Sequence, residues 1–218
     1  PLQYGIIHRD SPDPRGIDVA LLYLKERFRP LKKVFYPLKG EDGMVVKTRE
    51  ILYAKGILDN KDTLHFFVNH WPSKRGGALA EKYRMYASDL LLQEIDSICR
   101  LSPGARILVM GDFNDPPDSR PLNHLSGNGM IPVSREATYK YQGVWECLDQ
   151  MLVSPALHKD MEYVKVFKNS YLLEPDDTHL GHKPRRTYRG PVYHGGVSDH
   201  LPVTLKFITF APYGLTTR

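Results

Sequence analysis

Gly111-Asp112-Phe113-Asn114-Asp115-Pro116-Pro117-Asp118-Ser119-Arg120-Pro121-Leu122 stands where an apolar run gives way to a polar loop. Before it, Arg106-Ile107-Leu108-Val109-Met110 has the length and branching of a buried strand. Gly111 permits a sharp exit from that strand. In an extended chain Asp112 and Asn114 point to one side and Phe113 to the other. A carboxylate and an amide then share one strand end, with an aromatic anchor beneath them. The two prolines that follow cannot continue a strand, so the polar pair opens into a loop. Rigid scaffolds display reactive groups at such places. Asp115 and Asp118 read as turn residues only.

Two further stretches complete the pattern. Cys147-Leu148-Asp149-Gln150-Met151-Leu152-Val153-Ser154 reads as a strand carrying an acid near its start, and Ser198-Asp199-His200-Leu201-Pro202-Val203 lies near the C-terminus. In this order the three motifs resemble those of the endonuclease/exonuclease/phosphatase superfamily. Its members include deoxyribonuclease I, apurinic/apyrimidinic endonucleases, neutral sphingomyelinases and inositol polyphosphate 5-phosphatases. Either short motif alone is weak; the ordered set is specific, and the resemblance runs from Gly16 to Phe207. It implies an α/β fold of two packed, mainly antiparallel sheets flanked by helices, a four-layer α/β/β/α sandwich. It also implies a single domain over residues 1–218.

The 218 residues suffice for one sizeable core, and 41% apolar with 25% charged residues is ordinary for a globular chain. No apolar run is long enough for a transmembrane helix. The net charge of +5 suits a polyanionic partner and equally suits a solvated basic surface. Cys99 and Cys147 make no disulfide framework and read as small core residues. Pro1-Leu2-Gln3-Tyr4 shows neither an initiator methionine nor a signal peptide, so the compartment is not readable.

Along the chain, Ile17 to Tyr23, Leu31 to Tyr36, Thr48 to Leu58 and Thr63 to His70 read as strands. Ala78 to Leu101 reads as a helix. Leu79, Tyr83, Ala87, Leu90, Leu91, Ile95 and Ile98 form its apolar face, with Arg84 and Glu94 on the other. Ser119 to Leu125 suits a short helix, Thr138 to Trp145 an aromatic loop or strand, and Tyr163 to Phe167 a strand. The absence of a βαβ rhythm argues against a Rossmann-like parallel sheet. Leu172 to Gly196 reads as a surface loop, with Asp176, Asp177, His179 and His182 matching no tight metal pattern. Arg186 and Tyr188 make Lys183 to Gly190 a candidate substrate loop, because arginine forks bind phosphate and tyrosine stacks on bases.

The resemblance assigns chemistry residue by residue. Asp112 orients or deprotonates a water, and Asn114 holds Asp112 and the phosphate. His200 binds or protonates a phosphate oxygen, with Asp149 fixing its tautomer. Which of Asp112 and His200 is the base stays open. His70, at the end of its strand, contacts the scissile phosphate; Asn69 and Arg15 are candidates for substrate binding. Asp199 and Asp112 are candidate ligands for Mg2+ or Mn2+. The family's chief metal ligand is an early glutamate in a motif like "QE", which this chain lacks. The expectation is therefore a domain without its first strands, holding magnesium weakly and impaired in activity. The expected partner is a phosphate ester: nucleic acid, a phospholipid head group or a small phosphodiester. The competing expectation is a non-catalytic phosphate- or nucleic-acid-binding module of the same fold.

Overall fold

The structure, a computed structural model, describes residues 2–208. It opens with a hairpin of β1 (Tyr4–His8) and β2 (Ala20–Leu24), followed by β3 (Phe28–Tyr36), β4 (Ile51–Leu58) and β5 (Thr63–His70). Helix α1 (Gly77–Leu101) then leads to β6 (Arg106–Asp112), helix α2 (Arg120–Gly127) and the short β7 (Ile131–Pro132). A hairpin of β8 (Tyr139–Tyr141) and β9 (Val144–Glu146) precedes β10 (Asp149–Val153), the short helix α3 (Pro155–His158) and β11 (Met161–Val166). The stretch read as a loop contains two small hairpins, β12 (Leu173–Pro175) with β13 (His182–Pro184) and β14 (Tyr188–Arg189) with β15 (Val192–Tyr193). Asp176 there faces Lys140 at 3.0 Å, an ion pair within the loop cluster. Strand β16 (Val203–Phe207) closes the described chain.

The main sheet has the order β3-β4-β5-β6-β10-β7. Its strands are apolar on both faces, because both faces are covered. Ile107 and Val109 of β6 and Phe67 of β5 join Ala87, Leu91 and Ile95 of α1 in one core cluster. Alternate residues of the same strands point the other way. There Leu52 and Ala54 of β4 pack with Ile7 of β1 and Leu21 of β2. Leu64 and Leu108 pack with Leu205 and Phe207 of β16. The other face of the main sheet is thus covered by two separate strand pairs, β1–β2 and β11–β16. Each fully buried Leu, Ile or Phe in these clusters contributes roughly 1.5–3 kcal/mol. The mixed α/β architecture is the one that the motifs imply.

Two local expectations need correction. All pairings in the main sheet are antiparallel except β5 with β6, which are parallel across α1. One βαβ unit therefore exists, and it is the unit that carries the Asp112 motif. On α1 the buried stripe is Ala80, Arg84, Ala87, Ser88, Leu91, Leu92 and Ile95. Leu79 is exposed at the first turn, whereas Arg84 turns inward. Arg84 Nε donates to Asp115 Oδ2 at 2.7 Å and Nη1 to the Pro72 carbonyl at 3.0 Å. Asp115 is therefore no mere turn residue. Burial pushes its carboxyl up, and Arg84 offsets this only in part.

This pair clamps the loop after β6 to α1. Arg84→Met, which strands the buried carboxylate, should lower unfolding free energy by about 3–5 kcal/mol. Arg84→Met combined with Asp115→Leu should restore most of that loss. Urea denaturation of both variants measures it; equal stability of the single variant and the parent would show that the clamp carries no weight.

Candidate active site

Strand register assembles the site. His70 at the end of β5 lies opposite Asp112 at the end of β6, and Asp149 at the start of β10 lies opposite Asp112 on the other side. Three neighbouring strands thus present three titratable side chains in one row. Gly111 makes the β5–β6 approach possible: its φ is +133°, and a Cβ there would lie 2.0 Å from the Asn69 carbonyl oxygen. Phe113 turns beneath the row, fully buried, with its ring centroid 4.6 Å from that of Trp71.

Asn114 adopts a left-handed φ of 50°, which asparagine tolerates better than most residues. Its backbone N–H donates to Asp112 Oδ1 at 2.8 Å. Its amide donates to the Trp71 carbonyl at 2.9 Å and to Asp112 Oδ2 at 3.2 Å. The Asp112 carboxylate is therefore held in one orientation.

His200 comes from the far end of the chain. Leu201, buried, donates its N–H to the Thr138 carbonyl at 2.8 Å and so fixes the segment beside β8. His200 Nδ1 lies 2.7 Å from Asp149 Oδ2, and the Thr138 hydroxyl donates to that same oxygen. With Nδ1–H donating to the carboxylate, Nε2 is left toward the cleft. The Tyr139 ring stands 4.7 Å from the imidazole.

These groups share a cleft of about 730 Å³ with Arg15, Lys74, Arg75, Tyr139, Tyr141 and Asp199. A side chain that sequence reasoning missed also lines it. Arg49 is 5% exposed, donates Nε to the His70 carbonyl at 3.1 Å, and pairs through Nη1 with Asp13 at 2.9 Å. Arg15 grips the same Asp13 with two nitrogens, at 2.9 and 3.0 Å. The single signal was Thr48-Arg49-Glu50, a charged pair heading an otherwise apolar strand. Arg15 itself is half committed to Asp13 and half open to the cleft.

Three other candidates lie elsewhere. Asn69 is buried; its amide donates to the Phe67 and Met110 carbonyls, both at 3.2 Å, and its oxygen accepts from Trp71 Nε1 at 3.1 Å. With all three groups engaged it ties β5 to β6 and does not reach the cleft. Its side chain alternates away from that of His70, which spacing alone predicts. Tyr188 sits on the exposed β14–β15 hairpin, edge-on to Tyr193 at 5.4 Å, outside the cleft lining. Arg186 lies over the outer Tyr139 ring at 5.5 Å and meets the site only through it.

The electrostatics separate the row. Burial, helped by nearby Arg49, pushes the His70 imidazole down to about 4, so it is neutral at pH 7. The 3.6 Å between His70 Nε2 and Asp112 Oδ2 is accordingly neither an ion pair nor a hydrogen bond. Burial pushes the Asp112 carboxyl up to about 6; neighbouring Asp149 adds to this, whereas His200 opposes it. Burial works against charge on His200, but the Asp149 hydrogen bond and charge outweigh it, and its pKa is raised. Among the described residues, only His8, Asp10 and Asp18 bring three such ligand atoms within 4.8 Å of one another. The cleft carboxylates form no closed cage. They suit an open site, in which one or two carboxylates share a hard cation with water and phosphate oxygens.

Comparison with known proteins adds context. A family model described as Endonuclease/Exonuclease/phosphatase family matches residues 1–209. No curated protein matches the chain. Among solved structures, a mannosyl-6-phosphatase of Bacteroides thetaiotaomicron is 15% identical, with a TM-score of 0.63 over 94% of this chain and 77% of its own. The human Nocturnin catalytic domain with bound sulfate is 15% identical, with a TM-score of 0.59 over 93% and 73%. D. rerio TDP2 complexed with a single-strand DNA product is 16% identical, with a TM-score of 0.60 over 94% and 77%.

The raised Asp112 pKa has a consequence for stability. Between the unfolded value of 3.8 and about 6, the native state binds the extra proton. Stability from this group is therefore fully present at low pH and is lost as pH rises through 6. With chelator present, Asp112→Asn should be more stable than the parent at pH 8, by on the order of 1–3 kcal/mol. The gain should vanish near pH 4. Thermal melts across that range would contradict the assignment if the difference were flat.

Proposed function

Because the chain belongs to the endonuclease/exonuclease/phosphatase family, we propose that it is a hydrolase of phosphate esters that depends on Mg2+ or Mn2+. The single observation that carries this reading is the row His70–Asp112–Asp149 closed by His200, lining one cleft beside Arg15, Lys74 and Arg75.

Phosphate esters repel nucleophiles, so catalysis needs positive charge and a positioned base. Asp112 accepts a proton from the attacking water; burial raises its carboxyl above the ordinary range while no cation is bound. Asn114 fixes its orientation. His200, kept cationic by Asp149, offers Nε2–H to a phosphate oxygen. Thr138 holds Asp149 in turn. Neutral His70 serves as a hydrogen-bond partner to the phosphate. Arg49 keeps the His70 backbone in place, and Arg15, Lys74 and Arg75 draw the anion in. Asp112, Asn114 and Asp199 are the oxygen donors that would hold a divalent cation, whose bound form supplies positive charge to the phosphate. The phosphatase, the sulfate-bound domain and the DNA-product complex among the similar folds support a phosphate-ester substrate. Nucleic acid, phospholipid head groups and small phosphodiesters all remain within that class.

Hydrolysis of bis-p-nitrophenyl phosphate, plasmid DNA, sphingomyelin and inositol phosphates by this chain, with Mg2+ or Mn2+, tests the proposal. At least one should be cleaved, at the reduced rate expected of a site without the "QE" glutamate, and EDTA should abolish turnover. Cleavage of none of them in either metal would favour a binding module instead.

Asp149→Asn should lower kcat by about 10²–10⁴-fold with little change in KM, since orientation matters most in the transition state. It should also move the alkaline limb of the pH profile to lower pH, because His200 loses the carboxylate that raises its pKa. A pH profile identical to that of the parent would rule out the pairing as functional.

A further inference from the structure

A second cavity, of about 470 Å³, lies at the other end of the β5–β6 pair, between the sheet and the C-terminal part of α1. A cross-strand row of basic residues lines it. Lys32 of β3 is opposite Lys55 of β4, which is opposite His65 of β5. Like charges directly across a sheet are unfavourable unless something offsets them. Among the described residues neither lysine has a carboxylate partner; Lys32 instead stands over the Tyr53 ring at 6.0 Å. The end of α1 does not need them. Ser102 N–H bonds the Ile98 carbonyl at 2.8 Å, and Arg100 Nε bonds that of Asp96 at 3.3 Å. The acids nearby are engaged: Asp62 by Arg106, and Glu94 by the Tyr36 hydroxyl at 2.6 Å.

His65 is 6% exposed, and the proposed reaction does not use it. Its Nδ1 lies 2.9 Å from the Tyr53 hydroxyl. Burial holds the imidazole neutral and the phenol protonated. The hydroxyl and Nδ1 share one hydrogen bond, which leaves the Nε2 edge of the ring toward the cavity lining. The cavity therefore combines a histidine edge, two ammonium groups without a carboxylate partner among the described residues, two tyrosine rings and two carboxylates, of which Asp62 is already held by Arg106.

We propose that this cavity is a second, non-catalytic binding site for a small phosphomonoester with a planar body, of the kind a nucleoside monophosphate presents. The phosphate meets Lys32, Lys55 and the edge of the His65 ring. The planar ring lies along Tyr36 and Tyr53, and Glu94 accepts from an exocyclic amine. The volume falls within the range of small-molecule sites. This site does not depend on the reaction assigned to the cleft.

Histidine side-chain NMR of the 218-residue chain separates the two sites, because His65 and His70 sit on one strand roughly 17 Å apart. Titration with adenosine monophosphate should move the His65 ring signals saturably, and inorganic phosphate should bind more weakly. Lys32→Ala with Lys55→Ala should weaken nucleotide binding at least about tenfold. That variant removes a like-charge contact and so should keep its melting temperature and its activity. Shifts confined to His70 and His200 would overturn the proposal. Unchanged affinity in the double variant, or phosphate matching the nucleotide, would overturn it equally.

Discussion

The close parallel pairing of β5 with β6 is the constraint on which the rest depends. Parallel neighbours need a long crossover, and α1 supplies it. The pairing brings His70 and Asp112 to the same end of the sheet. It holds only because Gly111 has no Cβ to strike the Asn69 carbonyl, while the Asn69 amide reaches across to Met110. An alanine at 111 would have to push the strands apart where the His70–Asp112 spacing is set. The glycine before the acid is therefore as much part of the site as the acid.

Around that seam the molecule keeps its charges in graded surroundings. Arg84 with Asp115 and Arg49 with Asp13 are buried pairs that anchor loops on either flank of the cleft. Neither is needed for the fold's apolar balance, since buried ion pairs seldom add net stability. Their value is positional. Arg49 holds the carbonyl of His70, and Arg84 holds the loop that follows Asn114. The reactive row thus rests on fixed charges one layer behind it.

Much of this was legible in the chain. Strand ends at His70 and Asp112 followed from apolar runs that stop at polar residues, and the Asp149–His200 contact followed from the motifs. The limits were those of one-dimensional patterns. A helical stripe assigned Arg84 to solvent because a lone charge on a helix normally is solvated; only the fold brings Asp115 to it. Asn69 drew attention by standing beside His70, yet neighbours on a strand face opposite sides. Arg49 carries no motif, and its importance arises from Asp13 and the His70 backbone, which are distant in sequence. Nor could the Lys32–Lys55–His65 row be read before strand register was known.

The Asp149–His200 hydrogen bond joins residues 51 positions apart, whereas β5, α1 and β6 form a continuous segment. His70 and Asp112 are themselves 42 positions apart, so chain separation alone does not set the order; one contiguous unit carries them, whereas the Asp149–His200 contact needs β8, β10 and the segment before β16 to meet. A nascent or refolding chain should accordingly acquire the half-site of His70 and Asp112 with the βαβ unit, and gain His200 only as β16 docks. An intermediate arrested before that step would be compact, yet without the Asp149–His200 pair. Pulse-labelled hydrogen exchange, comparing amide protection in β6 and β16 during refolding, would read this order directly.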